Sequence, residues 1–152
     1  MYLLYLLLAL IIGLIVPLQS AVNNQLKLVM GGSTLLAALV SFAIGTLALL
    51  FVALANPQKW GDLAQIGQAS WWQFSGGVMG ALFVFGTTLL APRIGVTVMV
   101  ALIIGGQVLS SLLFDRFGLL GFEVREISLP RLAGVLLVLA GVLLVSFGDR
   151  WR

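Results

Sequence analysis

The sequence predicts an all-α membrane protein with five transmembrane helices per chain. Of its 152 residues, 61% are hydrophobic and only 9% are charged, and the mean hydropathy is +1.18. A soluble domain of this length could not bury so much apolar surface. The apolar residues also form continuous runs of about 20 residues, the length that a helix needs to cross the hydrocarbon core. Continuous runs favour helices over transmembrane strands, in which apolar and polar residues alternate.

The five spans are expected at about 2–22, 33–55, 72–91, 94–114 and 131–148, in one transmembrane domain covering 1–152. The first run lacks the basic start of a signal peptide and exceeds the usual length of its apolar region, so we interpret it as a mature span. Tryptophans flank the spans, at 60, 71, 72 and 151, where amphipathic rings prefer the headgroup level. An odd number of spans places the two termini on opposite sides of the membrane.

The basic residues divide equally between these two sides. Lys59, Arg116, Arg125 and Arg131 fall on the side of the N-terminus, here the N-side; Lys27, Arg93, Arg150 and Arg152 fall on the opposite side, the C-side. Orientation in the membrane follows the Lys/Arg bias of the loops. A chain without a bias can insert both ways round, and two oppositely inserted copies can pair. The equal division therefore predicts a dual-topology, antiparallel homodimer.

Small residues mark a close-packing face on the fifth span. Gly134, Val138, Gly141, Val145 and Gly148 follow an alternating spacing of four and three residues, which places them on one side of a helix. We call them the glycine seam. In lipid, helix association depends on backbones approaching closely over small residues. We expect the seam to form the dimer interface, with packing inside the subunit as the open alternative.

Polar residues inside the first and fourth spans are the candidate substrate-binding groups. Gln19 and Asn23 are four residues apart, as are Gln107 and Ser111, so each pair shares a helix face. Pro17 has no N–H to offer the carbonyl four residues earlier, so it is expected to kink the first span and to serve in gating. For any one of these residues, a bond between helices is as good an explanation as ligand contact. The two stripes together, beside a proline, favour a lined pathway.

Several residue types are missing from the chain or from its spans, and this limits the reactions and ligands that we expect. It contains no cysteine or histidine, so no metal centre or cofactor is expected. No charged residue lies in the middle of a span, and no catalytic arrangement of side chains exists, so an enzyme is not expected. Arg93 and Asp115 fall at span ends, where we expect interfacial anchors first and residues of a cavity mouth second. The net charge of +3 is scattered and forms no nucleic-acid patch.

Several segments together resemble a known family of transporters. They are Pro17, Leu18 and Gln19 followed by Asn23, Gln25 and Leu26; Val40, Ser41, Phe42 and Gly45; Trp71 and Trp72 with Gly76 and Gly77; Ala91, Pro92, Arg93 and Gly95; Gly106, Gln107 and Ser111; Asp115, Phe117 and Gly118; and Arg131 to Gly141. In these residues the chain is similar to the YdcZ-like five-helix branch of the drug/metabolite transporter superfamily. The match runs through all five spans.

This resemblance implies five-helix chains that pair into a ten-helix transporter in the inner membrane of a bacterium. It also implies transport of a small solute by alternating access. The first span has no glutamate, unlike the small multidrug resistance relatives, which argues against proton-coupled export of organic cations. We therefore expect a secondary transporter of a small polar metabolite, neutral or zwitterionic, working as a homodimer in lipid. A non-transporting membrane scaffold and a passive channel remain the alternatives.

Overall fold

A computed structural model of the chain describes residues 2–148 and confirms the five predicted helices. They are α1 (Tyr2–Val29), α2 (Thr34–Ala55), α3 (Ser75–Ile94), α4 (Val96–Phe117) and α5 (Leu129–Phe147). Each is long and apolar enough to cross a membrane, and no strand occurs among residues 2–148. Arg150 and Arg152 of the charge count, with Trp151, lie outside the described residues.

The helices form two compact units, which are described separately. Unit 1 contains α1, α2 and α3, up to Arg93, and unit 2 begins at Ile94 and contains α4 and α5. Gly95 alone separates α3 from α4, and its φ of +84° is one that residues with a Cβ rarely adopt. The spans expected at 72–91 and 94–114 predict a connection at about 91–93, and this prediction is wrong. Those residues form the end of α3, since membrane helices tolerate proline.

Helix α1 is longer than a single span requires. Its 28 residues extend about 42 Å at the usual rise, against about 30 Å of hydrocarbon. It continues as an α-helix through Pro17 and ends in a glycine turn, in which Gly31 has a φ of +65° and the Gly32 N–H donates to the Lys27 carbonyl at 2.9 Å. The C-terminal turns of α1, with Asn23 and Lys27, therefore reach the C-side interface.

Serine side chains cap the N-termini of two of the helices. The Ser33 hydroxyl accepts the Leu36 N–H at 3.2 Å at the start of α2. Ser128 does the same for Arg131 at the start of α5, where Pro130 occupies a position that needs no N–H donor. The connection between α2 and α3 carries a 3₁₀ helix at Trp60–Gln68, followed by a short 3₁₀ turn at Trp71–Phe74.

Unit 1 packs at one end only. Its buried residues lie in the C-terminal half of α1, the first turns of α2 and the C-terminal half of α3: Ser20, Asn23, Ala37, Ala38, Val84, Thr87, Thr88 and Ala91. Successive spans alternate in direction, so all three regions lie toward the C-side. The N-side half of α1 is exposed along its length. The three helices therefore close around a small core at the C-side.

Unit 2 is stabilised by the close packing of its two helices and by the tight connection between them, which we call the α4–α5 corner. A Cβ at Gly105 of α4 would lie 3.4 Å from Val142 of α5, so the small residue lets the helices pack closely. At the corner, Gly118 ends α4 with a φ of +59°. The Arg125 N–H then donates to the Asp115 carbonyl at 2.7 Å.

Candidate functional site

Four polar residues of α1 and α3 are buried in unit 1. Ser20 and Asn23 come from α1, and Thr87 and Thr88 from α3; all four are at most 6% exposed. The Ser20 hydroxyl donates to the Thr87 carbonyl at 3.2 Å and ties the two helices together. We call these residues the polar cluster. Buried polar groups inside an apolar bundle are costly, so each one calls for an explanation.

Asn23 is the least satisfied member of the polar cluster. Its residue is 4% exposed, and its side-chain nitrogen is buried without a hydrogen-bond partner. Leaving a buried donor unpaired costs about 1 to 3 kcal/mol. The amide nitrogen is therefore an unused donor inside the bundle.

The other members of the polar cluster present acceptors. The Thr87 and Thr88 hydroxyls both donate to the Val84 carbonyl, at 3.1 and 2.8 Å, and Ser20 uses its own hydrogen on Thr87. The hydroxyl hydrogens are thus committed, whereas lone pairs on the oxygens are not. Pro92 adds to this, because it has no N–H to donate to the Thr88 carbonyl.

An open groove of about 470 Å³ leads to this region between the helices of unit 1. It is lined by Gln19, Ser41, Phe42, Gly45, Thr46, Ala48, Leu49, Gly80, Phe83 and Val84. Its polar side chains are those of Gln19, Ser41 and Thr46. The groove and the polar cluster adjoin, since Gln19 is next to Ser20 in the chain and the Val84 carbonyl accepts both threonine hydroxyls.

The expected substrate-binding residues have different surroundings. Gln19 lines the groove and Asn23 belongs to the adjoining polar cluster. Gln107 and Ser111 lie in unit 2, where both are exposed and the Ser111 hydroxyl donates to the Val108 carbonyl of its own helix at 2.9 Å. The substrate roles of all four stay predictions, as does the gating role of Pro17.

Asp115 and Arg93 also differ in their surroundings. Asp115 pairs with Arg131 across the α4–α5 corner and borders a surface pocket there, with Gly121, Phe122, Glu123 and Arg125. Arg93 is exposed in the last turn of α3, at the C-side end of unit 1. The pair at Asp115 gives that side chain a bond between helices, and the anchoring roles of both residues stay predictions. A cavity-mouth role for either residue stays a prediction.

The glycine seam on α5 is open in this single chain. A Cβ added at Gly134, Gly141 or Gly148 would meet no atom within 4 Å. Val138 and Val145 are 37% and 44% exposed. The contact with Gly105 of α4 comes from a different face, through Leu139 and Val142. The seam is therefore available for a further helix, and its role in the dimer stays a prediction.

Ser20, Thr87 and Thr88 were missed as site residues from the sequence. A signal for the threonines exists in the sequence, because two adjacent hydroxyls precede Pro92 by four and five residues. A proline so placed frees the Thr88 carbonyl and so marks this part of α3, although both hydroxyls donate to the Val84 carbonyl instead. Ser20 has no such signal, since its role depends on which face of α1 meets α3.

Five apolar helices of spanning length define a polytopic integral membrane protein. The chain belongs to the family described as "Putative inner membrane exporter, YdcZ", whose profile matches residues 4–144 and so covers all five helices. It is accordingly an inner-membrane protein of a transporter family, as the sequence resemblance predicted. No curated protein and no solved structure matches the chain.

Proposed function

We propose that the chain exports a small polar metabolite, neutral or zwitterionic, by alternating access as a dual-topology antiparallel homodimer. The observation that carries the proposal is the polar cluster, with its unpartnered Asn23 nitrogen, one helical turn from Gln19 of the groove. A protein that used these groups only to hold helices together would satisfy them internally. A donor kept free inside an apolar bundle supports a role in solute recognition.

Two features support the paired assembly. The basic residues are divided equally between the two sides of the membrane, so neither orientation is favoured. The glycine seam has no neighbour within 4 Å at any of its three glycines, which suits the approach of a second α5. In such a pair, the solute pathway lies between inverted copies, as in transporters built from inverted repeats.

Transport by the purified protein in proteoliposomes tests the proposal. Saturable efflux or counterflow of polar metabolites is expected, whereas a passive channel gives unsaturable flux and a scaffold gives none. Gln19→Leu is expected to weaken saturable transport about tenfold or more, because a site that hydrogen-bonds its substrate discriminates strongly. The matched control is Gln25→Leu, an exposed amide six residues further along α1.

Gln107→Leu examines the second predicted stripe in the same assay. If Gln107 contacts solute in the dimer, its loss weakens transport as Gln19→Leu does, with little change in melting temperature. Wild-type transport by both variants would remove these two glutamines from the site. Loss of stability without loss of transport in the remaining folded protein would assign them to helix contacts, at about 0.6 to 2 kcal/mol each.

Reporter fusions at the C-terminus test the dual topology. The native chain is expected to report from both sides of the membrane. Adding lysines to the Lys59 loop alone should give one orientation, and adding them beside Arg93 should give the other. A native chain that reports from one side only contradicts dual insertion, whatever the transport assay shows.

A further inference from the structure

We infer that the polar cluster and Lys27 together form a binding site for a carboxylate-bearing solute, with the carboxylate directed toward the C-side. The inference rests on the proposed function and names the chemical class of its substrate. The starting point is the Asn23 amide, whose buried nitrogen has no partner. An N–H donor is completed by an acceptor, and an anionic oxygen is the strongest acceptor available.

Lys27 adds a positive charge on the same face of α1. It lies four residues beyond Asn23, one helical turn toward the C-side, and is half-buried. The only acidic residue before Arg93 is Asp62, which lies in the N-side connection between α2 and α3. No carboxylate of unit 1 is therefore near enough to neutralise Lys27, which agrees with the absence of an ion pair at this lysine among the described residues.

Arg93 places a second positive charge at about the same depth in the membrane as Lys27. Helices α1 and α3 cross in the same direction, and the bond from Ser20 to Thr87 sets their register. At 1.5 Å per residue, Lys27 lies about 10 Å above Ser20 and Arg93 about 9 Å above Thr87. The C-side end of unit 1 thus carries two basic groups without an acid, and a bound anion is favoured there.

Hydrogen-bond acceptors lie on the N-side of Asn23, and these suit a donor group at the other end of such a solute. Ser20 and Thr88 have committed their hydroxyl hydrogens and retain lone pairs, and the Thr88 carbonyl lacks its usual donor because of Pro92. An ammonium or hydroxyl group would donate to these oxygens while the carboxylate reached Asn23 and Lys27. The preferred substrate class is therefore a small carboxylate with a donor group nearby, as in an amino acid zwitterion.

A lone cation fits the site less well. The neutral oxygens could hold one, but the unpartnered group at Asn23 is a nitrogen donor, and Lys27 and Arg93 would repel a positive charge from the same end. An anionic lipid headgroup could supply the same anionic oxygen as a carboxylate solute. Asn23 is only 4% exposed, which restricts a lipid with its acyl chains more than a small solute. We therefore favour the solute, and the experiment separates the two.

The test measures ligand-induced stabilisation of the full-length protein in a neutral detergent. The probes are carboxylates and their matched amides: alanine and alaninamide, serine and serinamide, leucine and leucinamide, propionate and propionamide. At least one carboxylate is expected to raise the melting temperature of the wild type, and its amide partner is not. Stabilisation by amides but not by carboxylates overturns the inference and leaves the proposed function standing; no stabilisation by any solute, with no saturable transport, overturns both.

Two substitutions link that response to the site. Asn23→Leu removes the amide at similar size, and Lys27→Gln removes the charge at similar length. Each is expected to weaken carboxylate binding about tenfold or more, because a charge-assisted hydrogen bond is lost. The controls are Gln25→Leu and Lys59→Gln, both of which change exposed residues outside the site. Unchanged carboxylate binding in Asn23→Leu and Lys27→Gln overturns the inference.

The melting temperature without solute separates binding from a structural role. The Asn23 nitrogen has no partner to lose, so Asn23→Leu is expected to raise the melting temperature of the free protein while abolishing the rise given by the carboxylate. A structural hydrogen bond predicts the opposite, a lower melting temperature with binding retained. Nanodiscs test the lipid alternative. If phosphatidylglycerol stabilises the wild type more than phosphatidylcholine does, if Asn23→Leu loses this difference, and if no carboxylate stabilises the protein, the site binds lipid. That result would overturn the inference of a carboxylate-bearing solute.

Discussion

The two units of the chain use their polar residues in different ways. In unit 1, the bond between α1 and α3 runs from Ser20 to a backbone carbonyl, and the Asn23 amide beside it is left free. In unit 2, the polar link between α4 and α5 is an ion pair, Asp115 with Arg131, and the helices meet over Gly105. Among residues 2–148, each unit also has one buried polar side-chain atom without a partner, the Asn23 nitrogen in unit 1 and the Ser146 hydroxyl in unit 2. Within that range, only the atom in unit 1 lies one helical turn from a side-chain hydrogen bond between helices.

This difference indicates a division of roles. A helix pair braced by an ion pair and a tight turn is suited to hold a fixed shape, and α5 presents its open glycine seam from that support. Three helices that close at one end and leave a groove at the other can admit a solute. We therefore expect substitutions in unit 1 to affect transport before assembly, and substitutions in unit 2 to affect assembly or folding first.

The largest effect is expected from Gly141→Leu in the glycine seam. Because nothing lies within 4 Å of its Cβ position in one chain, the monomer should keep its fold. Overpacking a close helix contact costs about 1 to 3 kcal/mol, so the variant should be monomeric at concentrations where the wild type is dimeric. Single-molecule photobleaching in liposomes measures this. Ala140→Leu, exposed on another face of α5, is the control and should stay dimeric.

The next effect is expected at the α4–α5 corner. Gly118→Ala forces a side chain into a φ of +59°, with its Cβ 2.8 Å from Val124 and 3.0 Å from the Phe122 carbonyl. The conformation alone costs about 1 to 2 kcal/mol, and the contacts add to it. Gly121→Ala also has a positive φ but no atom within 4 Å, so it should lose less stability. Equal melting temperatures for the two variants would show that the corner is not tightly packed.

A smaller effect is expected from Ser20→Ala in unit 1. It removes the hydrogen bond to the Thr87 carbonyl, which is worth about 0.6 to 1.7 kcal/mol between membrane helices. Chemical unfolding should show this loss, and saturable transport should fall although the dimer is retained. A variant with normal transport and reduced stability would reassign the polar cluster to helix packing and remove the contrast between the units.

The smallest effect is expected from Ser111→Ala in unit 2. The hydroxyl is exposed and bonds only to the Val108 carbonyl of its own helix, so its loss should change the free energy of unfolding by less than about 0.5 kcal/mol. Transport then reports whether Ser111 contacts solute in the dimer. A decrease in transport at unchanged stability would extend the site into unit 2 and weaken the division of roles.

The fold was largely predictable from the sequence because hydropathy alone determines where helices can span a membrane. The predicted ends were less accurate where local chemistry decided them. Helix α1 runs to the glycine turn at Gly31, past the point at which its apolar run ends. Helix α3 includes Pro92 and Arg93, which proline chemistry alone would place in a loop.

The candidate site was predictable only in part. Gln19 and Asn23 could be named because polar side chains in an apolar run stand out. Asn23 proved to be buried, whereas Gln19 faces the groove. Thr87, Thr88 and Ser20 were not found, since hydroxyls are common in such helices and their importance comes from the meeting of α1 with α3. Which helices meet is a matter of tertiary packing, and periodicity within one helix does not encode it.

The 3₁₀ helix at Trp60–Gln68 has a further consequence for how the protein sits in the bilayer. With three residues per turn, side chains three apart stand in line, so Trp60, Leu63 and Ile66 form one column and Asp62, Gln65 and Gln68 another. The segment can lie flat at the headgroups, with the apolar column toward the acyl chains and the polar column toward water. In an antiparallel pair, one such interfacial helix would lie in each leaflet. The two together would fix the position of the dimer along the membrane normal.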